Sequence, residues 1–396
     1  MSDIAENLMD YIGHRSIINT HCHHLRDLDF TNYDLDVLLK NSYVAWCNVA
    51  WDSTPVSRAN LLEKVRFNAA FVWLQKSLVE IYHLPEPLTA ENWDNVSSII
   101  RRAYKDEVRH TGMMQNLCGY VKILEDAYWD PGSDLGHPDL FTPIFRVNSF
   151  LFGYGPEARD HDGNNALILY DHRITDIDEY TSFVYGKIQE MKKRGCVALK
   201  VPVAYDRRLD FTETYKEAAQ KAFYEDRSEA DIKAFQDYLF FEICKMASEE
   251  SLPIQVHTGM GRLRQSNALW LREAIEKNPA TKFVLLHCSY PWTQDISALL
   301  RYYPNVYPDL SYLPLLSTVA CQHTLHDMIE GGTSEKVCWG CDTWTPEESY
   351  GSLLAFRHSM VRTMTEKVES GYLSLEDART VMDNIIYHNA KSLYKL

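Results

Sequence analysis

Eight short apolar runs, each closed by a polar turn and then a helical pattern, recur along this chain and restrict what it can fold into. They fall at 16–20, 121–124, 143–147, 196–201, 253–257, 282–287, 305–310 and 337–342. Runs this short and apolar read as buried strands, and the stretches 229–250, 267–277 and 348–368 between the later ones read as amphipathic helices. Strand and helix alternating eight times predict an α/β fold, a (β/α)8 barrel of the TIM type rather than an open sheet. The gap between the first two runs far exceeds a barrel connection and reads as mostly helical over 57–115. Residues 40–118 are therefore expected to be an α-helical insertion after the first strand, over the mouth of a single barrel spanning 1–396.

Composition narrows the class of function. With 40 Lys plus Arg against 55 Asp plus Glu, the net charge is 40 − 55 = −15, the wrong sign for nucleic acid or an anionic membrane as the main partner. A hydrophobic content of 45% with 24% charged residues fits a chain with a real core. No run approaches the ~20 apolar residues of a membrane span, and acids stand near the N-terminus where a signal peptide has bases. The expected location is cytoplasmic, the expected partner is a small-molecule substrate, and the expected assembly is a homo-oligomer. Nine scattered cysteines, an odd number, fit reduced core thiols better than a disulfide framework. Cys338 and Cys341 have CxxC spacing but lie in a predicted strand without a second pair, so no redox role is expected.

In such a barrel the chemistry sits where strands end. The first run leads into Asn19-Thr20-His21-Cys22-His23-His24, and strand alternation puts His21 and His23 on one side. The fifth run ends in His257, the sixth in His287 and the eighth in Asp342. A lone His-x-His is common in ordinary cores, but strand ends carrying His, His, His and Asp in this order form a donor set for one borderline divalent cation. Zinc leads, with manganese or iron open. Such an ion acidifies bound water, and an aspartate on the last strand can both touch the metal and take the proton. That role is assigned to Asp342.

The segments HCSYPW (287–292), YPNVYPDLS (303–311), GCDTWTPEESYG (340–351) and HNAKSLY (388–394) resemble the amidohydrolase superfamily. Within it they look most like the amidohydrolase-related domain that nodulin-like proteins carry fused to glutamine synthetase. The stretch YHLPEPLTAENW (82–93) is more similar to the corresponding region of uronate isomerases. The resemblance implies His21, His23, His257 and Asp342 as the metal set, with His287 behind it or polarising the substrate. Two positions depart from the pattern. Asn19 stands where relatives often have aspartate, and Lys200 ends the fourth run where some carry a carboxylated lysine bridging two metals. A free amine facing substrate and a single metal are expected here, making Lys200 a catalytic candidate beside Asp342 and His287. Arg146, Tyr205, Arg207 and Trp344 are candidates for contacting substrate, Arg146 through a bidentate grip on a carboxylate. Structural salt bridges and simple packing are the competing readings for these four.

The leading expectation is a metal-dependent hydrolase cleaving an amide-type C–N bond in a small polar or carboxylate-bearing substrate. A uronate-isomerase-like sugar-acid isomerase and a metal-dependent decarboxylase are the alternatives within the superfamily. A binding protein on a degenerate barrel is the alternative outside enzymology.

Overall fold

The structure is a computed structural model that describes residues 2–396. Its strands are β1 (Ile17–Cys22), β2 (Tyr120–Glu125), β3 (Phe141–Pro143), β4 (Phe145–Arg146), β5 (Leu199–Val201), β6 (Ile254–His257), β7 (Phe283–Leu286) and β8 (Val306–Asp309). Every pairing is parallel and follows chain order, in one sheet of β1-β2-β3 and another running from β4 to β8. Parallel strands covered on both faces read as continuous apolar runs, and seven of the eight runs coincide with strands.

The third and eighth runs depart from simple strands. The third is divided at Ile144, whose N–H bonds back to Glu125 O at 2.8 Å, while Phe145 N–H goes forward to Ala198 O at 2.9 Å. One residue thus hands the chain from one sheet to the next. The eighth makes a single bridge, Cys338 with Asp309, and then leans on β1 through Thr20 N to Trp339 O (3.3 Å), Asp342 N to His21 O (2.9 Å) and His23 N to Thr343 O (3.0 Å). Its approach to β1 is too close for any side chain at Gly340, where a Cβ would lie 2.5 Å from His21 N and 2.9 Å from Asn19 Oδ1. Asn19 takes over a ladder bond here by accepting from Cys341 N–H at 2.9 Å. The Asn19 amide therefore fastens the Asp342 segment to β1.

Helices Ile177–Lys193, Glu229–Glu249, Thr293–Tyr302, Thr318–Gly331 and Pro346–Glu369 alternate with the strands. Their starts are legible: Asp176 caps the first, Ser228 and Asp231 form a capping box on the second, and Thr345 with Pro346 opens the last. Residues between β1 and β2 form helices that pack their own apolar cluster, including Leu38, Leu39, Phe71, Leu74, Trp93 and Ile100. That cluster starts at Leu25, upstream of position 40. It is anchored by Glu347, fully buried in the first turn of Pro346–Glu369, whose carboxylate accepts from the hydroxyls of Tyr33 (3.1 Å), Tyr82 (2.6 Å) and Tyr104 (2.8 Å). All nine cysteines are free, and only Cys47 is not buried. Among the described residues no helix is long and apolar enough to cross a membrane.

Candidate active site

β1 is buried along its whole length although it contains Asn19, Thr20 and His21, so these polar groups need partners or a function. The Nε2 atoms of His21 and His23 each lie 3.3 Å from the same oxygen, Oδ1 of Asp342. Asp342 Oδ2 accepts from the Tyr43 hydroxyl at 2.6 Å. His23 Nδ1 lies 2.8 Å from the carbonyl of Asp126, which can only accept, so Nδ1 carries a proton and in the neutral ring Nε2 turns a bare lone pair toward a carboxylate oxygen. Two lone pairs facing each other at that range call for a cation between them.

His257 and His287 pose a related problem. His287 Nδ1 donates to the carbonyl of Ser311 at 2.9 Å, which leaves Nε2 bare. His257 Nε2 faces the carbonyl of Gly259 at 3.1 Å and needs a proton there, yet Nδ1 needs one too if it is to donate to His287 Nε2 at 3.0 Å. Burial holds both rings below their usual value, His287 at about 4, so neutral pH supplies two protons for three positions. The conflict disappears when His257 Nε2 gives its lone pair to a cation, because Nδ1–H then donates to His287 and His287 to Ser311. The donor set therefore fits a borderline divalent ion. The loops carrying these rings interlock tightly: a Cβ at Gly259 would meet Tyr290 O at 2.2 Å, and His287, Cys288 and Ser289 all adopt positive φ.

Lys200 Nζ is 2.8 Å from His21 Nε2 and 3.8 Å from Asp126 Oδ2. Burial pulls this amine down to about 8 against the opposing charges of Asp126 and Asp342. Asp126 is buried too, but Arg146 and Lys200 beside it hold its carboxyl well below the usual range. His23, Lys200, His257 and Asp342 face a cavity of about 310 Å³, which Tyr205 and Trp344 also line, Trp344 stacked on His23 at 5.6 Å between ring centroids.

The amidohydrolase family model matches residues 211–396, a span that holds His257, His287 and Asp342. Protein fluG of Emericella nidulans is 33% identical over 155 residues, 38% of this chain and 18% of that protein, so the match spans less than a fifth of its length. Residues 211–396 are thus similar to the amidohydrolase family. Among solved structures, glucuronate isomerase from Caulobacter crescentus matches at 13% identity over 100% of this chain and 95% of that one, with a TM-score of 0.80. Uronate isomerase from Thermotoga maritima matches at 16% identity over 100% and 98%, with a TM-score of 0.77. The fold likeness thus includes the helical stretch between β1 and β2.

The residues expected from sequence divide. His21, His23 and Asp342 meet at one carboxylate oxygen, whereas His257 is engaged with His287, which does not line the cavity. Arg146 lines the cavity but its guanidinium is already taken: Nε and Nη2 bond the two Asp126 oxygens at 3.1 and 2.8 Å, and Nη1 bonds Asp162. The bidentate grip expected for substrate is made on a protein carboxylate instead. Arg207 turns away from the cavity toward Asp237, 2.8 Å from its Oδ1. Asp126, Tyr43 and Asp162 escaped the sequence reading. Asp126 had a signal, the acidic pair Glu125-Asp126 directly after the second apolar run, while Tyr43 and Asp162 come from segments with no strand-end mark.

Lys200 offers a direct check. Below about pH 8 its ammonium occupies the Nε2 lone pair of His21, so metal affinity should rise as pH climbs through that value. Lys200→Met should flatten this step and retain the metal while turnover falls. Loss of the metal from the variant would mean that Lys200 is itself a ligand.

Proposed function

We propose that this protein is a metal-dependent hydrolase that uses activated water to cleave an amide-type C–N bond in a small polar or carboxylate-bearing substrate. In this reading the strands and the 337–342 segment close into a (β/α)8 barrel with 40–118 as a helical insertion over its mouth. His21, His23, His257 and Asp342 hold one divalent transition-metal ion, zinc before manganese or iron. The observation that carries the reading is the approach of two imidazole Nε2 atoms to a single Asp342 oxygen, 3.3 Å each, beside a cavity of about 310 Å³. A divalent ion bound there supplies Lewis acidity, polarising a carbonyl and acidifying water.

The chain's own groups do the rest. Asp342 takes the proton of the attacking water and returns it to the leaving amine. Its Oδ2 is held by Tyr43, which fixes the carboxylate plane while Oδ1 faces the imidazoles. His287 works as a positioning residue through its contact with His257. With Arg146 engaged by Asp126 and Asp162, Lys200 is the cavity cation left to meet a substrate carboxylate or a developing oxyanion. The cavity lies at the small end of the range for ligand pockets, which favours a compact substrate.

A sugar-acid isomerase is the second reading, favoured by the Tyr43–Asp342 contact. That pair offers two groups able to exchange a proton between adjacent carbons without consuming water. Incubating the purified protein with a panel of N-acyl and γ-glutamyl amides and of uronates separates the two. Free amine released from an amide is the expected result. Aldose–ketose conversion of a uronate with no amine released from any amide would replace the hydrolase reading.

A further inference from the structure

Beside His24, just past the end of β1, a second group of imidazoles gathers around a carboxylate. His110 Nε2 and His137 Nε2 lie 3.1 and 2.8 Å from Asp27 Oδ1, and the three ligand atoms all fall within 4.8 Å of one another. They come from three separate parts of the chain: the turn Asp27–Phe30 after β1, the helix Arg109–Gly112 before β2, and the loop between β2 and β3. We propose that Asp27, His110 and His137 form a second cation site, taking a borderline divalent metal such as Zn²⁺. This inference does not rest on the proposed hydrolase activity.

Three observations distinguish the group from an ordinary polar staple. His110 is only 1% exposed, and its Nε2, 3.1 Å from Asp27 Oδ1, lies outside good hydrogen-bond geometry, which leaves a buried nitrogen aimed at the centre of the cluster. Its other nitrogen, Nδ1, is 2.9 Å from Nε2 of the buried His24, an outer contact that orients the ring. The ring is also held in place before any ligand arrives, stacked on Phe30 at 4.4 Å and on His24 at 5.2 Å between centroids. Asp27 is the most exposed of the three, so an ion could enter from solvent and keep water in its remaining positions. Two imidazoles and one carboxylate suit Zn²⁺ or Ni²⁺ better than Mg²⁺ or Ca²⁺, which prefer all-oxygen shells. A metal there would tie the helical stretch before β2 to both neighbouring loops.

Zinc titration of the chelator-stripped full chain, with bound metal counted after dialysis, tests this. His137→Ala and Asp27→Asn alter partly exposed loop or turn residues outside the cavity, and each should remove one equivalent while leaving turnover unchanged. His21→Ala/His23→Ala should remove a different equivalent, and combining it with His137→Ala should remove both. In the His21→Ala/His23→Ala background zinc should still raise Tm, and adding His137→Ala should abolish that rise. Unchanged zinc stoichiometry in both His137→Ala and Asp27→Asn would overturn the site, whatever becomes of the metal at His21 and His23.

Discussion

Asp342→Asn is expected to lower kcat by about a thousandfold while leaving the metal in place. The amide keeps an oxygen and the shape of the side chain, so it can still face His21 and His23 and still meet Tyr43, but it has almost no basicity. The loss should therefore fall on kcat more than on substrate binding. The carboxyl is buried, which alone would raise it, but the neighbouring His287, His23 and Lys200 hold it below its ordinary value. It thus stays ionised, and able to accept a proton, at neutral pH. The acidic limb of the rate profile should change or vanish in the variant. Near-normal turnover across the pH range would remove Asp342 from proton transfer and direct attention to the Tyr43 hydroxyl.

Glu347→Ala should cost about 3 to 9 kcal/mol, because it strands three tyrosine hydroxyls at roughly 1 to 3 kcal/mol each. That is comparable to the whole stability of many domains. Glu347 is fully buried and Tyr33, Tyr82 and Tyr104 all donate to it, so it is a buried polar tie between the helical stretch after β1 and the helix that follows Asp342. Glu347→Gln keeps an acceptor oxygen and should lose much less. Urea unfolding midpoints of the two variants measure the difference. Equal midpoints for wild type and Glu347→Ala would show that the tyrosines find other partners and that the anchor lies elsewhere.

The residues show why some of the molecule was legible in the sequence and some was not. Strands buried on both faces leave continuous apolar runs, and a polar residue closing such a run has few reasons to be there other than chemistry, so His21, His23, His257, His287 and Asp342 stood out. The eighth run looked like its neighbours, yet Gly340 and the Asn19 side chain pull it onto β1 in a geometry that periodicity does not encode. Arg146 was visible as a cation at a strand end, but which carboxylate it meets depends on Asp126 and Asp162, brought near only by folding. Tyr43 reaches Asp342 from 299 positions away, carried by the packing of the helical stretch, and nothing local to it announces that contact.

The central claim is that β1 and the segment ending in Asp342 jointly hold a metal ion. Elemental analysis of the full chain against His21→Ala/His23→Ala, both purified without added metal and checked for native circular dichroism, tests it most directly. The account predicts one equivalent of transition metal fewer per chain in the folded double variant, together with loss of turnover. An unchanged metal content in that variant would contradict it.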